Sequence, residues 1–134
     1  MFQQVAASAA KIVRAGGHVG IGCHGQFDGE GCHWETWGFV AGGMTPLEAL
    51  RVATHDGAYA IGMEQDLGSL EPGKLADLVV LDANPLEDIH NTTKISTVMK
   101  NGRLYDGNTL DQVWPDKVAL PRMWWWNQEP GGKN

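Results

Sequence analysis

The sequence predicts an α/β fold, on three observations. Residues 2–22 read as a helix followed by a short strand. Three further helix patterns run up to residue 61. From residue 77 the periodicity becomes that of strands and tight turns. The 134 residues are 43% hydrophobic and include 18 glycines, enough for one ordinary core and too apolar for a disordered chain.

The first helix follows from Phe2, Val5, Ala6, Ala9, Ile12 and Val13, spaced by three and four, with Gln3, Gln4, Lys11 and Arg14 elsewhere. Gly16 and Gly17 end it. His18-Val19-Gly20-Ile21-Gly22 is short and partly β-branched, which suits a buried parallel strand. Residues 23–31 form a loop rich in glycine and titratable groups. A second helix is expected from about Cys32 through Trp34 and Trp37 to Ala41, stopped by Gly42-Gly43. Thr45-Pro46-Leu47-Glu48 supplies a hydroxyl cap, a proline in the first turn and a glutamate three residues after the cap. The helix it starts is expected to turn Leu47, Leu50, Ala53 and Thr54 inward, with a separate short helix from His55 to Ile61. Residues 77–82 read as a strand between Glu71-Pro72-Gly73-Lys74 and Asn84-Pro85. Ile95–Lys100 and Arg103–Tyr105 flank Asn101-Gly102, a dipeptide that favours a two-residue hairpin turn. Beyond Asp106 an irregular tail is expected, carrying Trp124-Trp125-Trp126.

Composition excludes several functions. Ten basic against sixteen acidic residues give a net charge of −6, with the basic residues scattered singly, so no stripe neutralises nucleic-acid phosphates. No apolar run approaches the ~20 residues of a membrane span, and no signal peptide is visible. Gly20-Ile21-Gly22-Cys23-His24-Gly25 matches a dinucleotide-loop pattern, but Gly29 and Gly31 discourage the helix such a site needs. No G-x-S-x-G elbow is present for a serine hydrolase.

The chemistry therefore concentrates in residues 23–35. Cys23-His24 and Cys32-His33 repeat one pair nine positions apart, a donor set zinc accepts, although no C-x-x-C knuckle accompanies it. Small buried thiols or a disulfide are the alternatives. His24 stands at the C-terminal end of the expected parallel strand, where α/β folds open their ligand crevices. His33 and Glu35 follow closely enough to orient it or to move a proton, if the loop folds back. His55 and His90 read as structural or solvated. The tryptophans read as buried anchors or as the lining of a groove.

Met44-Thr45-Pro46-Leu47-Glu48-Ala49-Leu50, then Gly68-Ser69-Leu70-Glu71-Pro72-Gly73-Lys74-Leu75-Ala76-Asp77-Leu78-Val79-Val80-Leu81-Asp82, and finally Val98–Arg103 resemble the end of a metal-dependent amidohydrolase of the imidazolonepropionase- and prolidase-like kind. The resemblance spans about residues 1–106. It implies the C-terminal fragment of a (β/α)₈ barrel of the TIM type followed by a small β-sandwich element. Residues 1–66 would be the last helix-strand-helix part of the barrel, 67–106 the C-terminal strands of the composite sandwich, and 107–134 a Trp/Pro-rich tail. His24-Gly25-Gln26, Gly29, Gly31 and His33-Trp34-Glu35 are similar to a subgroup often attached to a β-propeller, many of whose members are exported and some of which act on peptides.

The resemblance implies hydrolysis of amide or other C–N bonds, peptide bonds among them, by water activated on a divalent metal, zinc foremost. His24 stands where most of the family carries a metal-binding aspartate, so it is the expected metal ligand and catalytic residue, with Glu35 as substitute base and Gln26 and His33 contacting substrate or supporting the site. The family's other ligands have no counterpart here, so the fragment alone is expected to be inactive. Its expected partners are a small-molecule or peptide amide substrate and either the missing barrel portion or a second copy. The location implied by the subgroup is periplasmic or extracellular. The contrasting reading is a non-enzymatic binding module that uses the β-unit and the aromatic tail.

Overall fold

The computed structural model describes residues 2–24 and 29–123, and its first half is helical. Helix α1 (Phe2–Arg14) ends as expected, with Gly16 at φ +86° and Gly17 N–H donating to the Ile12 carbonyl at 2.9 Å. Its buried stripe is narrower than the sequence suggests. Ala6, Ala9 and Ala10 are buried, whereas Val5 and Ile12 are at least half exposed. The cause is a close crossing: helix α2 (Glu30–Ala41) ends with Gly42 against the backbone of Ala6 and Ala7, a separation only small side chains permit.

Helix α3 (Pro46–Arg51) starts with the expected capping box. Thr45 Oγ1 accepts from Glu48 N–H at 3.2 Å, and Glu48 Oε2 accepts from Thr45 N–H at 2.7 Å. Arg14 reaches across from the end of α1 to the same carboxylate, at 2.9 and 3.0 Å. The separate helix expected from His55 does not exist. The chain continues without a break through a π-helical turn (Val52–Asp56) into helix α4 (Gly57–Ala60), and Gly62 at φ +70° follows its end. The inward face also differs from expectation, because Ala49, Val52 and Asp56 are buried while Leu47 and Thr54 are exposed. With Ala9, Ala10 and Met44, residues Ala49 and Val52 form the core, onto which Val13, Val19, Ile21, Phe39 and Val40 pack.

The second half is one antiparallel sheet. Strands β1 (Leu78–Leu81), β2 (Ile95–Lys100), β3 (Arg103–Asp106) and β4 (Gln112–Trp114) pair in sequence order. The β2–β3 turn has Asn101 at φ +50° and Gly102 at φ +71°, the left-handed pair a type I′ hairpin requires. Asp77 secures that turn by accepting from Asn101 N–H at 2.6 Å and pairing with Lys100. Strand β4 corrects the expectation of irregular chain beyond Asp106. Gln112 is buried, and its side chain donates to the Asp116 carbonyl, so a polar residue anchors this three-residue strand. A 3₁₀ turn (Ile89–Thr93) joins sheet to helices, with Trp37 Nε1 donating to the Ile89 carbonyl and Thr92 Oγ1, each at 3.0 Å.

Residues 18–22 do not form the expected parallel strand. Among the described residues none of the four strands pairs with this segment, and a parallel strand needs neighbours to supply its ladder. Val19 and Ile21 still face the helical core, so the segment is packed although it is unpaired.

Candidate functional site

The segment leading to His24 is held by side chains in place of a β ladder. At its start, His18 Nδ1 donates to Asp56 Oδ1 at 3.3 Å, and the His18 ring stacks on Tyr59 with centroids 3.8 Å apart. Val19 and Ile21 pack on the core, as described. Near its end, Gly22 N–H donates to Glu35 Oε2 at 2.8 Å, and Cys23 is disulfide-bonded to Cys32, nine positions on. Two of these fastenings land on α2, one on its first turn and the other at Glu35. The helix that follows the loop therefore also fixes the chain entering it.

Asp56 is the buried anchor at the other end. The same Oδ1 receives His55 Nδ1 at 3.0 Å, and Arg51 Nε lies 3.5 Å away. Burial pushes the Asp56 carboxyl up, but hydrogen bonds from His55 and His18 and the charge of Arg51 outweigh it, leaving its pKa below the usual carboxylate value. Sequence reasoning missed both Asp56 and His18. The available signal was an acidic residue four positions after Val52, on the face of the helix that the core covers.

The expected site residues are only partly brought together. Glu35 reaches the segment through Gly22. His24, next to the disulfide, is exposed and has no hydrogen-bond partner among the described residues. His33 turns toward Trp37, ring centroids 6.3 Å apart, and Trp37 in turn meets His90 at 4.5 Å. Gln26 and the tryptophans at 124–126 lie outside the described residues. His55 is half-buried and bonded to Asp56, and His90 is exposed and bonded to Asp88 at 2.7 Å.

The disulfide corrects the metal reading of the paired Cys-His motif: with the two sulfurs bonded to each other, no thiolate remains to bind zinc. Among the described residues no three His, Cys, Asp or Glu side chains converge on a point that could hold a metal ion. A catalytic metal needs about three protein ligands, so these residues by themselves do not fit one.

With this geometry in view, the family can be stated. The profile of the amidohydrolase family matches residues 4–105, and the chain belongs to that family. Ochratoxinase of Aspergillus niger is 41% identical over 70 residues, which cover 49% of this chain and 15% of that protein. Imidazolonepropionase of Geobacillus kaustophilus is 43% identical over 65 residues, covering 46% of this chain and 15% of its own length. Among solved structures, a Xaa-Pro dipeptidase with bound methionine in its active site superposes with a TM-score of 0.68 at 33% identity, over 77% of this chain and 26% of that one. Molinate hydrolase superposes with a TM-score of 0.58 at 40% identity, over 61% and 18%. The chain thus spans about a quarter or less of each of these relatives.

Proposed function

We propose that this chain is the C-terminal part of a metal-dependent amidohydrolase that hydrolyses amide or related C–N bonds of a small molecule or peptide, and that it is inactive by itself. The family match over residues 4–105, combined with the small share of each relative it spans, carries this reading. Residues 1–66 are the last part of a (β/α)₈ barrel, residues 67–106 belong to a small β-sandwich, and residues 107–134 are the tail. The unpaired segment 18–22 fits a barrel strand whose neighbours lie elsewhere in the protein. The exposed valines of β1, Val79 and Val80, fit a sheet that another strand or a second copy covers.

In the whole enzyme a divalent metal, zinc foremost, would supply activated water. His24 would serve as a metal ligand or proton shuttle, Glu35 as a base or support, and Gln26 and His33 at the substrate side. The hydrolases and dipeptidase among the relatives support a small amide or peptide substrate. A disulfide between Cys23 and Cys32 fits a periplasmic or extracellular location.

The test is an assay of the isolated chain with added zinc against dipeptides and cyclic amides. No turnover is expected. Robust turnover that His24→Ala abolishes would overturn the fragment reading.

A further inference from the structure

We propose that Asn101 is a site of spontaneous deamidation that the closed β2–β3 turn protects, so that a hairpin that opens is converted irreversibly. Both reacting groups belong to the chain. Asn101-Gly102 is the one asparagine–glycine pair in the sequence. The nucleophile is the Gly102 nitrogen, which no side chain crowds, and the electrophile is the side-chain carbonyl of Asn101. The nitrogens that follow Asn84, Asn91 and Asn108 belong to Pro85, which has no N–H, and to the β-branched Thr92 and Thr109. Asn101 is exposed, so water, the other reactant, reaches it.

The Gly102 nitrogen gives up its proton and attacks Asn101 Cγ. The new N–C bond closes a five-membered imide, the Cγ–Nδ2 bond breaks, and Nδ2 leaves as ammonia carrying that proton. Water then opens the ring at either carbonyl. One product is aspartate, and the other is its isomer, in which the backbone runs through the former side chain. The closed turn withholds every requirement of the first step. Gly102 N–H donates to the Ala76 carbonyl at 3.2 Å, so the nucleophile is engaged. Ring closure also needs rotation about the Asn101 Cα–C bond, which the left-handed pair at φ +50° and +71° fixes. Asp77 holds that pair in place by accepting from Asn101 N–H at 2.6 Å, and it is itself paired with Lys100. Ala76 and Asp77, which lead into β1, therefore bolt the turn. Either product resists reclosure. The isomer adds a methylene to the backbone of a two-residue turn, and aspartate sets a second carboxylate beside Asp77.

The test follows conversion of Asn101 by peptide mass spectrometry on the full 134-residue chain at mildly alkaline pH, folded and in guanidinium chloride. Folded chain is expected to convert about a hundredfold more slowly than unfolded chain, the combined worth of the two hydrogen bonds that must open. Asp77→Ala, which removes the bolt, should raise the rate in folded chain about tenfold or more. If that variant does not fold, wild type supplies a second measurement: the protection of the Gly102 amide against hydrogen exchange should match the protection of Asn101 against deamidation, because one opening exposes both. Equal conversion in folded and unfolded chain would overturn the proposal. So would no conversion at Asn101 in guanidinium chloride, an unchanged rate in folded Asp77→Ala, or a Gly102 amide that exchanges freely while Asn101 stays protected.

Discussion

Gly42→Ala should destabilise this chain through a single backbone contact. A Cβ at Gly42 would lie 2.3 Å from Ala6 Cβ, 2.7 Å from the Ala6 carbonyl carbon and 2.9 Å from the Ala7 nitrogen. The backbone at Gly42, φ −84° and ψ 1°, is open to any residue, so no conformational penalty enters. Two of the three atoms it meets belong to the α1 backbone, so relief requires the helices to separate. Overpacking of this kind costs about 1–3 kcal/mol, and the rigidity of the obstacle puts this case near 2–3. For a chain of this size that is a fall in Tm of roughly 10 °C. Urea unfolding followed by helical circular dichroism measures it. Gly43→Ala is the control, because its Cβ would meet nothing within 4 Å and only the φ of +101° resists it, a cost of roughly 1 kcal/mol. If Gly42→Ala unfolds within about 0.5 kcal/mol of wild type, the range of ordinary surface changes, the α1–α2 crossing is not as described.

Two other consequences can be measured. Hydrogen bonding from Arg14, with the Thr45 backbone, lowers the Glu48 pKa to about 2 from 4.5. Because the folded value lies below the unfolded one, this stabilisation is complete above pH 4.5 and disappears as pH falls toward 2. Arg14→Gln should therefore flatten the loss of urea midpoint between pH 6 and pH 3, and an unchanged slope would refute the pairing. Trp37→Phe removes the donor shared by the Ile89 carbonyl and Thr92 Oγ1, and should cost about 1–2 kcal/mol in the same unfolding assay. A change near zero would mean that the indole does not tie the helices to the 3₁₀ turn.

What could be read from the sequence was local. The Thr45 capping box, the Gly16-Gly17 stop and the Asn101-Gly102 turn depend on residues a few positions apart, and each formed as expected. What escaped depends on partners distant in the chain. Alanines line the buried stripe of α1 because Gly42 crosses it, a fact held 36 residues away in the sequence. Asp56 is buried because His18 meets it, and β4 forms because β3 offers it an edge. At the candidate site, residues 23–35 could be singled out from the sequence, but the cysteine chemistry could not be read from it. Adjacent Cys-His pairs suit a metal or a bridge equally well until the backbone sets the two sulfurs side by side.

The π turn at Val52–Asp56 holds one residue more than a regular helical turn would. Excising that one extra residue would restore the ordinary helical pattern and leave Ala58 in the core and Tyr59 on the face it shares with His18. The same deletion in α1 or α2, which are regular helices, would rotate everything downstream by about 100°. A deletion at the π turn would thus spare the start of the segment that leads to His24.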